Sequence, residues 1–358
     1  MEPEVFFDVT DGIGTITLNR PKTLNALTLN MILEMRREIT SWLADSTVKV
    51  IIIKGAGDRA FCAGGDVRAV RQAIIEYEGN ENPDLAKDFF YEEYILNHQI
   101  HTSTKPYVAI IDRVCMGGGV GLSVHGQYRV ATERTRVGMP ETAIGLFPDV
   151  GGAWFLSRLP GETGTYLALT GVPASVGDCI ELGIATHLTS SGDLAGLEAD
   201  LHATDLSNDT HTAVRSVLER YSTPYAGETP TALARAEIDR IFSADSMEEI
   251  IARLEEAGSG FANRALEMLS SKSPTSLKVT LEQIRRGRRA SSFAATMTME
   301  YRMSQHFARG HDFPEGVRAL LVDKDHRPNW SPGRLEEVSD ATVASYFEPL
   351  SWRELTFD

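Results

Sequence analysis

The feature that most constrains the fold is a pair of short, continuously apolar segments separated by helical stretches. Residues 48–55 (VKVIIIKG) and 105–112 (KPYVAIID) lack the apolar–polar alternation of a strand with one wet face. Such strands are typical of parallel sheets that helices cover on both faces. An amphipathic helix is predicted at 28–45, and a β-hairpin at 5–9 and 13–18. The chain is therefore predicted to have an α/β fold.

The character of the sequence changes near residue 190, where glycine thins out and strand patterns stop. Helical patterns then recur at 193–203, 231–242, 246–257, 259–270, 275–287 and 292–309. A linker rich in Pro, Gly and Thr separates two of them at 221–231. We predict an α/β core over residues 1–195, followed by a helical C-terminal region over residues 196–358.

Charge and cysteine content limit the classes of partner. The net charge of −15 argues against nucleic acid, because phosphate binding depends on basic surface. The apolar runs are too short to cross a bilayer, so a membrane partner is not expected either. Cys62, Cys115 and Cys179 lie far apart, without the spacing of a metal site or a disulfide framework. Together with an N-terminus that lacks a signal or transit pattern, this predicts a cytoplasmic protein with no metal site.

A first glycine cluster, KGAGDRAFCAGGDV (54–67), follows the first apolar strand. Gly55, Gly57 and Ala60 match the outline of a dinucleotide fingerprint, G-x-G-x-x-A. That motif should open a helix directly, and a further glycine pair intervenes here. A plain turn after the strand is one interpretation. The functional interpretation that we prefer is a loop whose Gly65 N–H is exposed, because no side chain covers it.

A second cluster, MGGGVGLSVHG (116–126), follows the second apolar strand and precedes a helical pattern. Three consecutive glycines are entropically costly, which makes sense where a ligand must approach the backbone. The N–H groups at a helix start lack partners within the helix, and the helix dipole adds positive potential there. This combination favours binding of an anion or an oxyanion. Close packing of the helix on the strand explains the glycines equally well.

Two carboxylates, Glu141 in GMPETAIG and Asp149 in LFPDVGGAWF, lie in apolar surroundings. A solvated acid more often has charged neighbours. Burial raises the pKa of a carboxyl group and suits it for general acid–base catalysis. Asp149 also precedes a helical pattern and is a good candidate for a helix N-cap. The two roles are compatible.

Four separated motifs extend these observations. They are LNRPKTLNAL (18–27), AFCAGGDV (60–67), KPYVAIIDRVCMGGGVGL (105–122) and GMPETAIGLFPDVGG (138–152). In this order, over about residues 4–190, the sequence resembles the enoyl-CoA hydratase/isomerase (crotonase) superfamily. The resemblance implies a spiral core of repeated ββα units, an acyl-CoA substrate, and an oxyanion hole built from the N–H groups of Gly65 and Gly118. It implies no cofactor, because CoA is part of the substrate.

Departures from the family pattern point to one branch. Hydratases of the family carry two glutamates that hold a water molecule; one matches Glu141, but Gly121 stands at the position of the other. They also have glycine where this chain has Asp149. The branch that shares this combination cleaves 3-hydroxyisobutyryl-CoA in valine breakdown, so the resemblance implies hydrolysis of a short, branched 3-hydroxyacyl-CoA. It also implies that Glu93 contacts the substrate, with Glu92 as the alternative.

The same resemblance suggests how the acids divide the work. Glu141 would either attack the thioester carbonyl or activate water, and the sequence leaves both open. Asp149 would position the 3-hydroxyl group or the water and assist proton transfer to the leaving thiolate. The alternatives are an enoyl-CoA hydratase or isomerase acting on another acyl-CoA, a non-catalytic acyl-CoA-binding protein and, last, a nicotinamide dehydrogenase. Trimers and hexamers are common in the family, which leaves a homo-oligomer open.

Overall fold

A computed structural model describes residues 2–79 and 82–357. The chain folds into two compact units, each assembled from three segments. The first unit comprises Met1–Gly65, Ile95–Val137 and Ala174–Thr229, and the second comprises Asp66–Tyr94, Gly138–Pro173 and Pro230–Asp358. Each unit contains residues on both sides of position 195. The division into regions 1–195 and 196–358 stays a prediction about organisation along the chain.

The strands of the described residues form two sheets. They are β1 Val5–Thr10, β2 Ile13–Leu18, β3 Val50–Gly55, β4 Ala60–Cys62, β5 Tyr107–Ile111, β6 Val114–Met116, β7 Tyr128–Thr132, β8 Arg136–Gly138, β9 Ala174–Ser175 and β10 His187–Thr189. The larger sheet has the order β1-β2-β3-β5-β7-β10, and the smaller sheet has the order β4-β6-β8-β9. Strands β1 and β2 form the predicted antiparallel hairpin, and β2, β3, β5, β7 and β10 pair in parallel.

The α-helices within the same residues are α1 Leu29–Ala44, α2 Val67–Glu76, α3 Asp84–His101, α4 Gly118–Gly121, α5 Gly152–Leu156, α6 Thr163–Thr170, α7 Val176–Glu181, α8 Leu194–His202, α9 Thr210–Tyr221, α10 Pro230–Phe242, α11 Met247–Ala257, α12 Gly260–Ser270, α13 Pro274–Arg289, α14 Phe293–Arg309, α15 Asp312–Val317 and α16 Asp340–Ser345. Short 3-10 helices span Pro21–Thr23, Glu141–Ile144, Ser191–Asp193 and Leu335–Glu337, and a π-helical turn spans Arg318–Val322. None of the described helices is long and apolar enough to cross a membrane.

Helices cover the larger sheet on both faces, as the continuous apolar strands predict. Ile13 of β2 packs into a buried cluster with Leu197 of α8 and Val214 of α9. The next residue, Gly14, points to the opposite face, because side chains alternate along a strand. There the ring of Trp42 from α1 lies so close that a methyl carbon added at Gly14 would be 2.6 Å from it. The α/β prediction is confirmed.

The helical predictions beyond residue 190 are confirmed as α8 and α10 to α14, with ends that differ by one or two residues. Sequence patterns missed α9, whose Asp209 accepts a hydrogen bond from the N–H of Thr212. From residue 190 to residue 357 the regular elements are all helices. In the first unit the predicted cap of α1 is present, because the Thr28 side chain accepts a hydrogen bond from the Met31 N–H.

Candidate active site

The three acids singled out from the sequence lie in the second unit, and all are buried. Glu93 lies on α3, Glu141 begins the 3-10 helix Glu141–Ile144, and Asp149 lies in the turn that leads into α5. Their exposed fractions are 2%, 6% and 5%. They are close enough to interact, because the charge of Asp149 adds to the effect of burial in raising the pKa of both glutamates.

The short helix that carries Glu141 depends on the glycine that follows it. Gly145 ends this helix with φ 68°, and its N–H donates to the Glu141 carbonyl oxygen. A methyl carbon added at Gly145 would lie 2.2 Å from the carbonyl oxygen of Asp312, so the backbone there admits only glycine. The sequence PETAIG therefore sets the position of the Glu141 backbone.

The turn at Asp149 has an unusual backbone. Val150 has φ 51° and Gly151 has φ 84°, both in the left-handed region. A β-branched residue rarely adopts that conformation, and holding it there costs about 1–3 kcal/mol. The Asp149 carboxylate accepts a hydrogen bond of 2.9 Å from the Tyr94 hydroxyl. Sequence reasoning missed this tyrosine, although it directly follows the predicted Glu93.

Glu300 on α14 is a fourth buried acid of the site, and it was also missed. Its carboxylate accepts hydrogen bonds from the N–H of Gly151 at 2.7 Å and from the N–H of Ala153 at 2.8 Å. Glu300 thus replaces the side-chain cap that α5 lacks, because the N-cap position of α5 is Gly151. The sequence signal available for Glu300 was its position as the single acid in α14. That signal does not identify its partner, Ala153, which lies 147 residues away in the chain.

Burial dominates the titration of all four acids. It raises the pKa of Asp149 to about 7, although the hydrogen bond from Tyr94 lowers it. Burial also raises the pKa of Glu300 to about 8, against the lowering effect of the N–H donors of Ala153 and Gly151. The pKa values of Glu93 and Glu141 rise well above 4.5, through burial and then the charge of Asp149. Because like charges this close do not all ionise, the group can both hold and release protons near neutral pH.

Two carboxylate oxygens of this group are buried without a protein partner. Among the residues that the structure describes, Oε1 of Glu93 and Oε2 of Glu141 have no hydrogen-bond partner. Buried polar atoms are nearly always satisfied, and each exception calls for an explanation. A polar group of a bound ligand would provide the missing contact.

The two glycine loops lie in the first unit and contact each other. Gly65 forms an isolated bridge with Leu27, whose N–H donates to the Gly64 carbonyl oxygen at 2.9 Å. Gly118 is the first residue of α4. A methyl carbon added at Gly64, where φ is 104°, would lie 3.9 Å from the Gly118 nitrogen. The segment ending at Gly65 and the start of α4 are therefore adjacent, as the resemblance to the family implies.

Close packing and backbone conformation explain two glycines of the second cluster. A methyl carbon added at Gly119 would lie 2.5 Å from the carbonyl oxygen of Cys62, so this glycine is needed for packing of α4 on β4. Gly117 precedes α4 with φ 48°, a conformation that glycine adopts readily. Gly121 is buried within α4 and has no carboxylate to offer. The packing interpretation thus applies to Gly119, and the interpretation of a ligand at the backbone stays a prediction.

The dinucleotide interpretation of the first cluster is wrong. Gly57, with φ 83°, packs against Pro21, and the chain then enters β4 instead of a helix. The next helix, α2, begins only at Val67. A phosphate-binding strand–turn–helix unit is therefore not formed at Gly55 and Gly57.

The thiols are poor nucleophiles. All three cysteines are buried and free of disulfides. Burial raises the pKa values of Cys115 and Cys179 to about 12, so neither is a thiolate at neutral pH. Within residues 2–79 and 82–357, no group of three or more His, Cys, Asp or Glu side chains is arranged to hold a metal ion.

Comparison with known proteins identifies the family. The sequence pattern of the enoyl-CoA hydratase/isomerase family matches residues 13–347. The chain belongs to this family, and the predicted crotonase-type fold is confirmed. Two solved structures are similar over nearly the whole chain. A carnitinyl-CoA dehydratase from Mycobacterium thermoresistibile is 38% identical with a TM-score of 0.91, covering 100% of this chain and 99% of its own. An enoyl-CoA hydratase from Rhodobacter sphaeroides is 35% identical with a TM-score of 0.89, covering 99% and 100%.

Curated relatives are more similar in sequence to this chain than these two structures are. The mitochondrial 3-hydroxyisobutyryl-CoA hydrolase of Gallus gallus is 50% identical over 98% of this chain and 90% of its own length. The human protein of the same name is 48% identical over 99% of this chain and 91% of its own. These names correct one expectation. The relatives are mitochondrial, so the prediction of a cytoplasmic protein is wrong.

Proposed function

We propose that this protein hydrolyses 3-hydroxyisobutyryl-CoA to 3-hydroxyisobutyrate and CoA, a step of valine breakdown. The reaction cleaves the thioester of a short, branched 3-hydroxyacyl-CoA. The observation that carries the proposal is the buried pair Glu141 and Asp149, in which Glu141 has an oxygen without a protein partner. The names of relatives at about half identity support the same reaction.

The backbone N–H groups of Gly65 and Gly118 take the role of oxyanion hole in this proposal. Negative charge develops on the thioester oxygen as the carbonyl carbon is attacked. A backbone donor aimed at that oxygen contributes roughly 3 kcal/mol to transition-state stabilisation. Two donors would therefore account for several powers of ten in rate. The adjacency of the two glycine loops within the first unit supports this assignment.

The carboxyl groups supply the attacking oxygen and move the proton. Glu141 either attacks the carbonyl carbon, forming an anhydride that water then cleaves, or takes a proton from the attacking water. The C–S bond breaks, and Asp149 gives its proton to the leaving thiolate. A pKa near 7 suits Asp149 for that transfer. Glu93, with its unpartnered Oε1, accepts a hydrogen bond from the substrate hydroxyl.

A second candidate is hydration or dehydration of an enoyl-CoA. The names of the two solved structures, at 38% and 35% identity, favour it. Against it, Gly121 provides no second glutamate to hold a water molecule. Loss of enone absorbance with crotonyl-CoA, without release of thiol from 3-hydroxyisobutyryl-CoA, would support this candidate and contradict the proposed hydrolysis.

The proposal needs no metal ion and no redox cofactor, because carboxyl groups and backbone N–H groups suffice for thioester hydrolysis. CoA enters and leaves as part of the substrate and product. A homo-oligomer is compatible with the family, and light scattering coupled to gel filtration would measure the number of subunits.

The test is release of free CoA from 3-hydroxyisobutyryl-CoA, followed with a thiol reagent. Wild-type protein should release CoA stoichiometrically, and Glu141→Gln should not. A single turnover in ¹⁸O-labelled water then separates the two roles of Glu141. If Glu141 is the nucleophile and water attacks the glutamyl carbon of the anhydride, the first product carries an oxygen atom of Glu141 and the label enters the enzyme. If Glu141 is a general base, the label enters the product and not the enzyme. No thiol release by the wild type would contradict the proposed function.

A further inference from the structure

Two buried polar side chains of the second unit, Glu300 and Gln283, are not used by the reaction just described. Both are fully buried, with exposed fractions of 0%. Gln283 on α13 donates from Nε2 to the carbonyl oxygen of Pro148 at 2.7 Å and to Oε1 of Glu300 at 3.1 Å. Gln283 therefore binds Pro148, the residue before Asp149, and it also binds Glu300, which binds residues after Asp149.

On the far side of Asp149, Glu300 accepts the N–H groups of Gly151 and Ala153. The two carboxylate oxygens divide these contacts, since Oε2 faces Gly151 and Oε1 faces Ala153. Since Gln283 also donates to it, the Glu300 carboxyl group receives three hydrogen bonds. Together, Gln283 and Glu300 hold the backbone from residue 148 to residue 153. We refer to Glu300 and Gln283 as the turn clamp.

The turn needs such support because its own sequence opposes its conformation. Val150, next to Asp149, has φ 51°. A β-branched residue leaves that region unless the surroundings hold it there. The Asp149 carboxylate accepts a side-chain hydrogen bond from the hydroxyl of Tyr94. A relaxed turn would turn the carboxyl group away from that position.

We propose that Glu300, held by Gln283, is a positioning residue that fixes the Asp149 carboxyl group in its reactive orientation. The proposal rests on the proposed function, in which Asp149 protonates the leaving thiolate. Glu300 does not touch substrate; it acts through the backbone of residues 151 and 153. Misplacement of a reacting group by about 1 Å costs on the order of 10²-fold in rate.

The test variant is Glu300→Gln. An amide keeps the size of the side chain but replaces one acceptor oxygen with a donor, so one of the two backbone N–H groups loses its partner. We expect kcat for thiol release to fall about 10-fold to 100-fold while KM stays within about twofold, because substrate binding does not use the turn. A loss of folding alone would lower the amount of active protein and leave KM and the per-molecule kcat unchanged.

Asp239→Asn is the matched control. Asp239 on α10 accepts the N–H of Glu162 at 2.8 Å, which is also a remote carboxylate bound to the backbone at the start of a helix. Glu162 is the N-cap residue of α6, away from the turn clamp in sequence. Because Asn keeps one acceptor oxygen, this variant should lower the melting temperature no more than Glu300→Gln does, with kcat and KM both within about twofold of wild type.

Hydrogen exchange measured by mass spectrometry tests the clamp without relying on activity. In Glu300→Gln, a peptide covering residues 149–156 should exchange about threefold to tenfold faster, the ratio expected for loss of one hydrogen bond. The Asp239→Asn protein should show no change in that peptide. Unchanged exchange in Glu300→Gln would show that the clamp does not hold the turn.

The positioning role is overturned if Glu300→Gln keeps full kcat, or if KM rises in proportion to the loss. It is also overturned if Asp239→Asn loses as much kcat. A wild-type protein that releases no CoA would instead refute the proposed function, and the exchange experiment would still decide whether the clamp exists.

Discussion

The glycine loops of the first unit and the acid cluster of the second unit differ in how they are built. In the proposed mechanism, Gly65 and Gly118 act through backbone N–H groups, and what matters there is the absence of side chains. Glu141 and Asp149 act through side chains whose pKa values are raised by burial. The loops are formed by contacts between two short segments, whereas the acids depend on Tyr94 and Glu300 from distant helices. The glycines are recognisable in the local sequence, whereas the pKa values of the acids follow from burial and from partners in the folded chain.

The largest effect expected from either region is that of Glu141→Gln. The amide cannot attack the carbonyl or take a proton from water. We expect kcat/KM for thiol release to fall by about 10³-fold or more, at the upper end of what one acid–base group contributes. The measurement is steady-state release of CoA from 3-hydroxyisobutyryl-CoA, with circular dichroism as the control for folding. Retention of full activity would remove Glu141 from the mechanism.

The glycine loops are tested by Gly118→Pro. Proline lacks the N–H group, and it is tolerated at the first position of a helix, which Gly118 occupies. If this N–H stabilises the oxyanion, kcat should fall by about 10²-fold to 10³-fold. A fall in kcat of less than about threefold would mean that the Gly118 N–H has no part in catalysis.

The acid cluster responds to Tyr94→Phe through the pKa of Asp149. The tyrosine hydroxyl stabilises the ionised carboxylate and lowers its pKa. Without the hydroxyl, the pKa of Asp149 should rise above about 7. In the proposed mechanism Asp149 is the proton donor, so the loss of kcat at alkaline pH should move to higher pH. A pH–rate profile that stays in place or moves to lower pH would contradict this role for Asp149.

The same cluster predicts a pH dependence of stability. In the folded protein the pKa of Asp149 is raised from 3.8 to about 7 and that of Glu300 from 4.5 to about 8. An acid with a raised folded pKa binds its proton more tightly when folded, so its stabilising contribution is complete below the unfolded pKa. That contribution is lost as the pH rises through the folded value. The melting temperature should therefore fall between about pH 4 and pH 8, and less steeply in Glu300→Gln than in wild type.

The smallest effect should come from a change outside both regions. Thr28→Ala removes the side-chain acceptor that caps α1. It should lower the free energy of unfolding by about 1 kcal/mol and leave thiol release unchanged. Chemical denaturation measures the first value. A loss of kcat in Thr28→Ala would show that the two regions depend on the capping of α1.

Local patterns in the sequence were sufficient for the α/β sheet and for most helices after residue 190. The continuous runs of β3 and β5 and the spacing of apolar residues in α10 to α14 reflect burial, which a local pattern reports. Glu141 and Asp149 were recognisable because their neighbours are apolar. Helix α9 was missed although its buried Val214, Val217 and Leu218 have helical spacing, because the residues around its capping Asp209 are polar.

The remaining part of the site depends on contacts that no local pattern reports. Glu300 lies in α14, 149 residues beyond the N–H of Gly151 that it binds, and Tyr94 lies 55 residues before Asp149. The left-handed backbone of Val150 was not predictable either, since valine disfavours it. Such features follow from the assembled second unit, and they decide the pKa values on which the chemistry depends.

The most direct test of the central claim is a parallel assay of one preparation with 3-hydroxyisobutyryl-CoA and with crotonyl-CoA. Thiol release and enone absorbance are followed at the same time, in wild type and in Glu141→Gln. We predict rapid thiol release from 3-hydroxyisobutyryl-CoA by the wild type, none by the variant, and little change in enone absorbance. Consumption of the enone without thiol release would contradict the account and assign the protein to the hydratases of its family.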